Sequence, residues 1–370
     1  MTEPGAAVPL PRSLPGARIF RAPGRVNLIG GHVDYHDGLV VAMAIDRDVR
    51  VQIRRRDDER VVVQSAEQLG TVDVAADGVD DPAAVAPAWG QLVGGIVRVL
   101  AELGRPPIGA DVSIESALPI GGGLSSSAAF EIAIASALAA IADFTIEPFA
   151  LAKAAQAAEH LGTGVPCGIQ DQMASVIGGT ILLDCRTLHV ERLPIPDSLA
   201  VVVVNSGVER TLATSPWTQR RAETFAAAAA LGVRVLRDVR LDQVADHRRA
   251  RHVVSEIARV EAFAAAGRIG DYATMGRLMC ESHASSRDDM ESSTPELDEI
   301  VDALVEAGAF GARLTGGGFG GCCVAIADAG DADNIARIAL DRYRNGLGAN
   351  RAASATVVAV GSASGEVVNR

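Results

Sequence analysis

The stretch "LPIGGGLSSSAAFEIAIASALAAIAD", Leu118 to Asp143, runs a glycine loop straight into an alanine-rich helix. Gly121, Gly122 and Gly123 let the backbone turn with its N–H groups facing inward, and Leu124, Ser125, Ser126 and Ser127 lead into the helix. A helix N-terminus offers unpaired N–H donors and the positive end of the helix dipole, so this junction suits a phosphate. A plain flexible linker would not need three serines between a strand and an amphipathic helix. Two familiar phosphate loops fail here. The Walker pattern requires a lysine, and none is present. The dinucleotide fingerprint breaks where Ser126 replaces its third glycine, although Asp143 lies at a suitable distance beyond. The preceding "ADVSIESALP" alternates apolar and polar residues, whereas the first strand of a dinucleotide fold is buried on both faces. A dehydrogenase is therefore the weaker reading.

Outward from this junction, "ARIF", "GLVVAMAI", "RDVRVQIRRR", "ERVVVQSAE" and "GTVDVAA" read as strands. "PAAVAPAWGQLVGGIVRVLAELG" reads as a helix closed by Gly104. Beyond the loop, Thr145 and Pro148 suit the start of a second helix through "FALAKAAQAAEHLG". The later half mixes a buried strand at Val201–Val204, a mostly helical region from Arg220 to Arg287, and a final helix and strand. Strands and helices alternate without a regular βαβ period, which predicts an α+β fold. The expected organisation is a loose leader over 1–16, an N-terminal lobe over 17–196 and a C-terminal lobe over 197–370.

The chain has 370 residues, 48% hydrophobic and 22% charged, which is globular composition and long enough for two lobes. A net charge of −12 speaks against a nucleic-acid surface, which needs clustered Lys and Arg. Five cysteines, two of them adjacent and none in a CxxC pair, predict reduced buried thiols, not disulfides or structural zinc. There is no signal-peptide pattern and no apolar run long enough for a bilayer, so a cytoplasmic protein without a membrane partner is expected.

Three further stretches carry chemistry. "RAPGRVNLIGGHVDYHDGLVVAMAID", Arg21 to Asp46, encloses Arg25, Asn27, His32, Asp34, Tyr35, His36 and Asp37 between apolar runs. "AEHLGTGVPCGIQDQMASVIGG" holds Glu159 at a helix end and Asp171 in a Gly- and Pro-containing turn. Next to a phosphate loop, one carboxylate could ligate Mg²⁺ and the other could take a proton from an attacking hydroxyl. "LTGGGFGGCCVAI" must approach either a ligand or another backbone closely.

Taken together, "APGRVNLIGGHVDYHDG", "PIGGGLSSSAAFE", "CGIQDQ" and "LTGGGFGGC" resemble, in order, the motifs of the galactokinase branch of the GHMP small-molecule kinases. The resemblance runs from about Ala17 to the end of the last motif. It implies a two-lobed fold, with an N-terminal lobe like ribosomal protein S5 domain 2 and a ferredoxin-like C-terminal lobe. It also implies an ATP- and Mg²⁺-dependent kinase acting on a sugar's anomeric hydroxyl; a monomer is the default expectation, since no residue pattern marks an oligomer. Gly121 to Ser127 would wrap the ATP phosphates, Ser127 and Glu159 would hold Mg²⁺, and Ser65 would lie near the adenine. Asp171 would be the base and Arg25 would stabilise the transition state. Gly31, His32, Val33, Asp34, Gly168 and Trp217 would line the sugar pocket.

Two positions depart from the family pattern. Galactokinases usually carry glutamate, a contact to the sugar's C6 hydroxyl, where this chain has Gly31, and tyrosine where it has Trp217. The resemblance puts D-galactose first. L-Arabinose, which lacks C6, and D-galacturonate, whose carboxylate a glutamate would repel, also fit a Gly31 pocket, and plant arabinokinases share the Gly-Gly pair. A non-catalytic sugar and ATP sensor is the alternative of another class, disfavoured because Asp171 and Arg25 are both kept.

Overall fold

The structure is a computed structural model, and it describes residues 14–119, 121–208 and 216–367. The expected leader therefore lies outside the described residues except for its last three. The larger sheet contains β1 (Arg18–Ile29), β2 (Leu39–Arg55), β3 (Arg60–Ser65), β4 (Thr71–Ala75), β5 (Ala110–Ser116), β6 (Thr180–Asp184) and β7 (Val190–Arg192), with period-two alternation in β3, β4 and the second half of β2. β1 pairs antiparallel along β2, whose far edge is shared by β6 at one end and β5 at the other. Four helices accompany this sheet: α1 (Gly90–Glu102), α2 (Ser126–Ile141), α3 (Pro148–Thr163) and α4 (Gln170–Ile177).

The smaller sheet contains β8 (Leu199–Asn205), β9 (Gly311–Leu314), β10 (Cys322–Asp328) and β11 (Ser354–Val358), in the order β11-β8-β10-β9. All its pairings are antiparallel, which is the ferredoxin-like arrangement expected for the second lobe. Against it pack α7 (Tyr272–Asp288), α8 (Pro295–Glu306) and α9 (Ala332–Asn345), whereas α6 (Arg248–Ile269) packs on β1 and β2 of the larger sheet and carries α5 (Trp217–Ala230). Strand alternation divides the burial. Val201, Val203 and Cys322 face a core continuous with the larger sheet, whereas Val202, Val204 and Cys323 join one with α8 and α9. The adjacent cysteines thus point to opposite faces, and all five are free thiols. A last short strand, β12 (Gly365–Glu366), returns to pair with β1.

Three elements differ from expectation. α1 begins at Gly90 instead of Pro82, because Pro82–Ala84 forms a 3₁₀ turn capped by Asp81 and Pro87 offers no N–H to a helix. α3 is preceded by Glu147 at the cap position, not Thr145, because Pro148 occupies the first helical position. Asp171 lies in the first turn of α4, not in the preceding irregular segment. No helix among the described residues is long and apolar enough to cross a membrane.

Candidate active site

A cavity of about 390 Å³ opens where the two sheets meet, and Arg25, Asp34, Ser127, Glu159, Asp171 and Trp217 all border it. A break in the β1–β2 register between Pro23 and Arg25 sets up its central pair. At the intervening Gly24, a Cβ would lie 2.5 Å from Leu118 Cδ2 and 2.7 Å from Leu124 O, so only glycine lets the phosphate loop press against β1. The Arg25 N–H then donates to Leu124 O at 3.0 Å. Its side chain forks onto Asp171, with Nε donating to Oδ1 at 2.7 Å and Nη2 to Oδ2 at 2.6 Å. Nη1 donates to Gly123 O at 2.8 Å, so one guanidinium spans carboxylate and loop. Ser125 Oγ donates to Asp171 Oδ2, and Gln170 Nε2 donates to Oδ1 at 3.3 Å.

The turn after β1 supplies the cavity's other wall. His32 has φ 60 and is buried, with Nδ1 at 2.8 Å from Tyr35 Oη and Nε2 at 3.3 Å from Gly317 O. The carbonyl can only accept, so Nε2 carries the proton and Nδ1 accepts from Tyr35. Val33 is buried away from the cavity and its carbonyl closes the turn onto the His36 and Gly38 N–H groups. Asp34 keeps an edge toward the cavity but is packed round by protein. Burial, then the nearby Asp171 charge, raises its pKa to about 6. A Cβ at Gly168 would stand 1.9 Å from Asp34 Oδ2, so the carboxylate rests against bare backbone. Trp217 is 6% exposed and meets the Tyr35 ring edge-on at 5.9 Å.

Gly121, Gly123 and Ser125 take positive φ angles of 70, 78 and 58, which is how the loop curls before α2. Gly121, Gly123, Ser125, Ser126 and Ser127 border the cavity, whereas Gly122 and Leu124 turn outward from it. Behind Ser127 lies a buried acid pair. Glu159 accepts from the Cys167 thiol at 3.1 Å and from Gln172 Nε2 at 3.1 Å, and the same Nε2 donates to Glu131 at 3.2 Å. Burial raises the pKa of both acids, and each is raised further by a neighbouring carboxylate. Neither is in an ion pair among the described residues, and Glu131 Oε1 has no hydrogen-bond partner. A divalent cation would answer that donor set. Among the described residues no three His, Cys, Asp or Glu side chains form a ready-made cage. Mg²⁺ needs none, because nucleotide phosphates and water complete its shell.

Of the residues singled out from sequence, Val33, Gly122 and Leu124 do not border the cavity, and Ser65 does not either: it stands at the end of β3, where its Oγ donates to Glu67 Oε2 at 3.0 Å. The third glycine motif does both things open to it. Gly316 and Gly317 border the cavity, while a Cβ at Gly318 would meet Ser292 O at 2.1 Å. Sequence reasoning missed Glu131, Gln172 and Cys167. The signal for Glu131 was its place four residues after Ser127, one turn along the same face of an otherwise apolar helix.

Family models match at three places: GHMP kinases N terminal domain over residues 91–179, GHMP kinases C terminal over 260–345, and the galactokinase galactose-binding signature over 12–55. A galactokinase of Roseiflexus sp. (strain RS-1) is 44% identical over 348 residues, covering 89% of this chain and 88% of its own. The galactokinase of Homo sapiens is 39% identical over 352 residues, covering 87% and 86%. Among solved structures, Lactococcus lactis galactokinase complexed with galactose superposes with a TM-score of 0.89 at 29% identity, covering 95% of this chain and 96% of that one. With motifs, both lobes and near-complete relatives in agreement, the chain belongs to the galactokinase family of the GHMP kinases, a family of phosphotransferases.

Proposed function

We propose that the protein transfers the γ-phosphoryl group of ATP to the anomeric hydroxyl of D-galactose, giving galactose 1-phosphate and ADP. The observation that carries this is the Arg25–Asp171 fork, held against the glycine–serine loop inside one cavity. The relatives named galactokinase support galactose as the sugar. The loop from Gly121 to Ser127 would hold the nucleotide phosphates through its N–H groups and hydroxyls. Ser127 and Glu159 would hold Mg²⁺, which when bound neutralises charge on the phosphate oxygens. Asp34, His32 and the backbone at Gly31 and Gly168 would face the sugar hydroxyls, with Trp217 closing the side.

In the step itself, the sugar O1 forms a bond to the γ-phosphorus and gives its proton to Asp171. The bond from that phosphorus to the β,γ-bridging oxygen breaks, and ADP leaves with the electron pair. Asp171 is surrounded by donors from Arg25, Ser125 and Gln170, which fill a carboxylate's lone-pair sites. The sugar hydroxyl therefore takes the place of Ser125, whose Oγ turns toward the phosphates. Arg25 stays paired and bears on the transferring group, which needs positioning and charge neutralisation above all. In the same reading the protein is a monomer in the cytoplasm, a compartment that suits five free thiols.

A coupled ADP-release assay on D-galactose, L-arabinose, D-galacturonate and N-acetylgalactosamine tests this. Galactose should have the highest kcat/KM. Absence of ADP release with every sugar would leave the sensor reading in its place.

A further inference from the structure

Gln170 opens α4 beside Asp171 and, like Asn27 of β1, borders the cavity. The two amides belong to a chain of hydrogen bonds that starts in the second lobe, and its ends fix every orientation along it. Arg313 on β9 can only donate, and its Nη1 reaches Asn27 at 2.6 Å, so the atom it meets is Oδ1. Asn27 Nδ2 is thereby turned toward acceptors, the Gly30 carbonyl at 3.3 Å and Gln170 Oε1 at 2.5 Å. With Oε1 taken, Gln170 presents Nε2 to Asp171 Oδ1 at 3.3 Å. Thr315 secures the Asn27 backbone, where the β1–β2 register breaks a second time. Its Oγ1 accepts from the Asn27 N–H at 2.9 Å and donates to the Asn27 carbonyl at 3.1 Å.

This chain makes the two oxygens of Asp171 unequal. Oδ1 accepts from Arg25 Nε and Gln170 Nε2, and both donors are anchored, one in the guanidinium fork and the other through Asn27. Oδ2 accepts from Arg25 Nη2 and from the Ser125 hydroxyl, which a side-chain rotation releases. Each carboxylate oxygen offers about two lone-pair sites, so Oδ1 stays full and Oδ2 is the oxygen that can be vacated.

We propose that Asn27 and Gln170 are positioning residues that reserve Oδ2 of Asp171 for the sugar. Gln170 keeps Oδ1 occupied, so the proton leaving the sugar O1 goes to Oδ2 as O1 bonds to the γ-phosphorus. Asn27, held from the second lobe by Arg313 and Thr315, sets which end of the Gln170 amide faces Asp171. The proposal rests on the sugar-kinase reading above. The test uses the wild type, Gln170→Leu, Asn27→Asp and the double variant. It measures the single-turnover rate of galactose 1-phosphate formation, with enzyme in excess and ATP saturating, and the galactose Kd by calorimetry without ATP. Gln170→Leu removes the donor to Oδ1 and should slow the single turnover about tenfold or more, while galactose Kd moves less than about threefold. Asn27→Asp offers Gln170 only acceptors, so the amide turns over and sets Oε1 against Oδ1. The rate should then fall at least as far as in Gln170→Leu, although Gln170 and Asp171 are both present. The double variant has no amide left to turn, so its rate should match Gln170→Leu alone within about threefold, the non-additivity of residues that act through one another. General damage to the fold would weaken galactose binding along with the rate in Gln170→Leu, or multiply the two losses in the double variant, and either result overturns the proposal. So does a Gln170→Leu rate within about threefold of wild type, and this variant decides alone if Asn27→Asp does not fold. A wild type that binds galactose and makes no galactose 1-phosphate would overturn the kinase reading, and the proposal with it.

Discussion

Asp34, set against the sugar in the proposed function, is a buried carboxyl that works against stability. Its pKa is raised to about 6, by burial first and by Asp171 second, so the folded protein prefers the protonated form. A carboxyl whose pKa rises on folding gives stability that is full below its unfolded value and is lost as pH climbs through the folded one. The unliganded enzyme should therefore lose about 2–3 kcal/mol from this group between roughly pH 4 and pH 7. Asp34→Asn should be the more stable protein at pH 8, with the advantage narrowing toward pH 4, while its kcat/KM for galactose falls sharply. Urea unfolding of both proteins across that range checks the sign. A wild type that is more stable than the variant at pH 8 would contradict it. For the active wild type, galactose KM should rise as pH drops below about 6, because a protonated Asp34 accepts fewer sugar hydroxyls.

At the level of elements, the site depends on helices packed closer than ordinary side chains permit. A Cβ at Gly95 on α1 would come within 2.3 Å of Ala158 O on α3, and one at Gly162 on α3 within 2.3 Å of Gln91 O on α1. Ala158 precedes Glu159, so α1 sets the depth of that acid. Gly95→Ala should destabilise the protein by about 1–3 kcal/mol through overpacking. It should also raise the Mg²⁺ concentration needed for half-maximal rate, while galactose KM changes little. A loss of stability with an unmoved Mg²⁺ requirement would detach α1 from the site. Gly168→Ala strikes the sugar side instead, at the 1.9 Å contact with Asp34, and should raise galactose KM with ATP KM held.

These elements also mark where sequence reading ends. The glycine–serine junction was legible because a loop entering a helix has chemistry of its own, and Arg25, Asp171 and Glu159 followed from ordered motifs. Strand alternation likewise exposed the core face of the second half of β2, and a continuous apolar run marked β8 as buried. The start of α1 was not legible, because an apolar period continues through prolines that break the helix. Ser65 is placed away from the cavity, and its role had come from resemblance, with no local signal. Glu256 and Arg313, a fully buried ion pair behind Gly31 with Arg313 Nη2 at 3.7 Å from Glu256 Oε1, escaped altogether. They lie 57 positions apart and more than two hundred from Gly31, and only the fold brings them behind it.

For the whole molecule, the two lobes are interlocked, not merely adjacent. β12 returns to the first sheet, where Arg18 clasps Glu366 with two contacts of 2.8 Å, and a Cβ at Gly361 would lie 2.1 Å from Ile45 O. The cavity draws Asp171 from one lobe and Trp217, Gly316 and Gly317 from the other. Ligands bound there should stabilise the molecule as a unit. Galactose at a hundred times its Kd should add about 2.7 kcal/mol to unfolding, read as one cooperative transition moving with ligand concentration. Two separate transitions, only one of them sensitive to sugar, would show lobes that fold independently.

In the proposed reaction Asp171, clasped by Arg25, directs phosphoryl transfer to the anomeric oxygen. Phosphorus NMR of the product formed from ATP and galactose, by the wild type and by Asp171→Asn, tests it most directly. The wild type should give a single sugar phosphate coupled to the anomeric proton. The variant should retain the fold and galactose binding but make that product about 10²–10⁴ times more slowly, the usual contribution of a positioned base. Phosphate on any other carbon, or near-normal turnover by Asp171→Asn, would rule that role out.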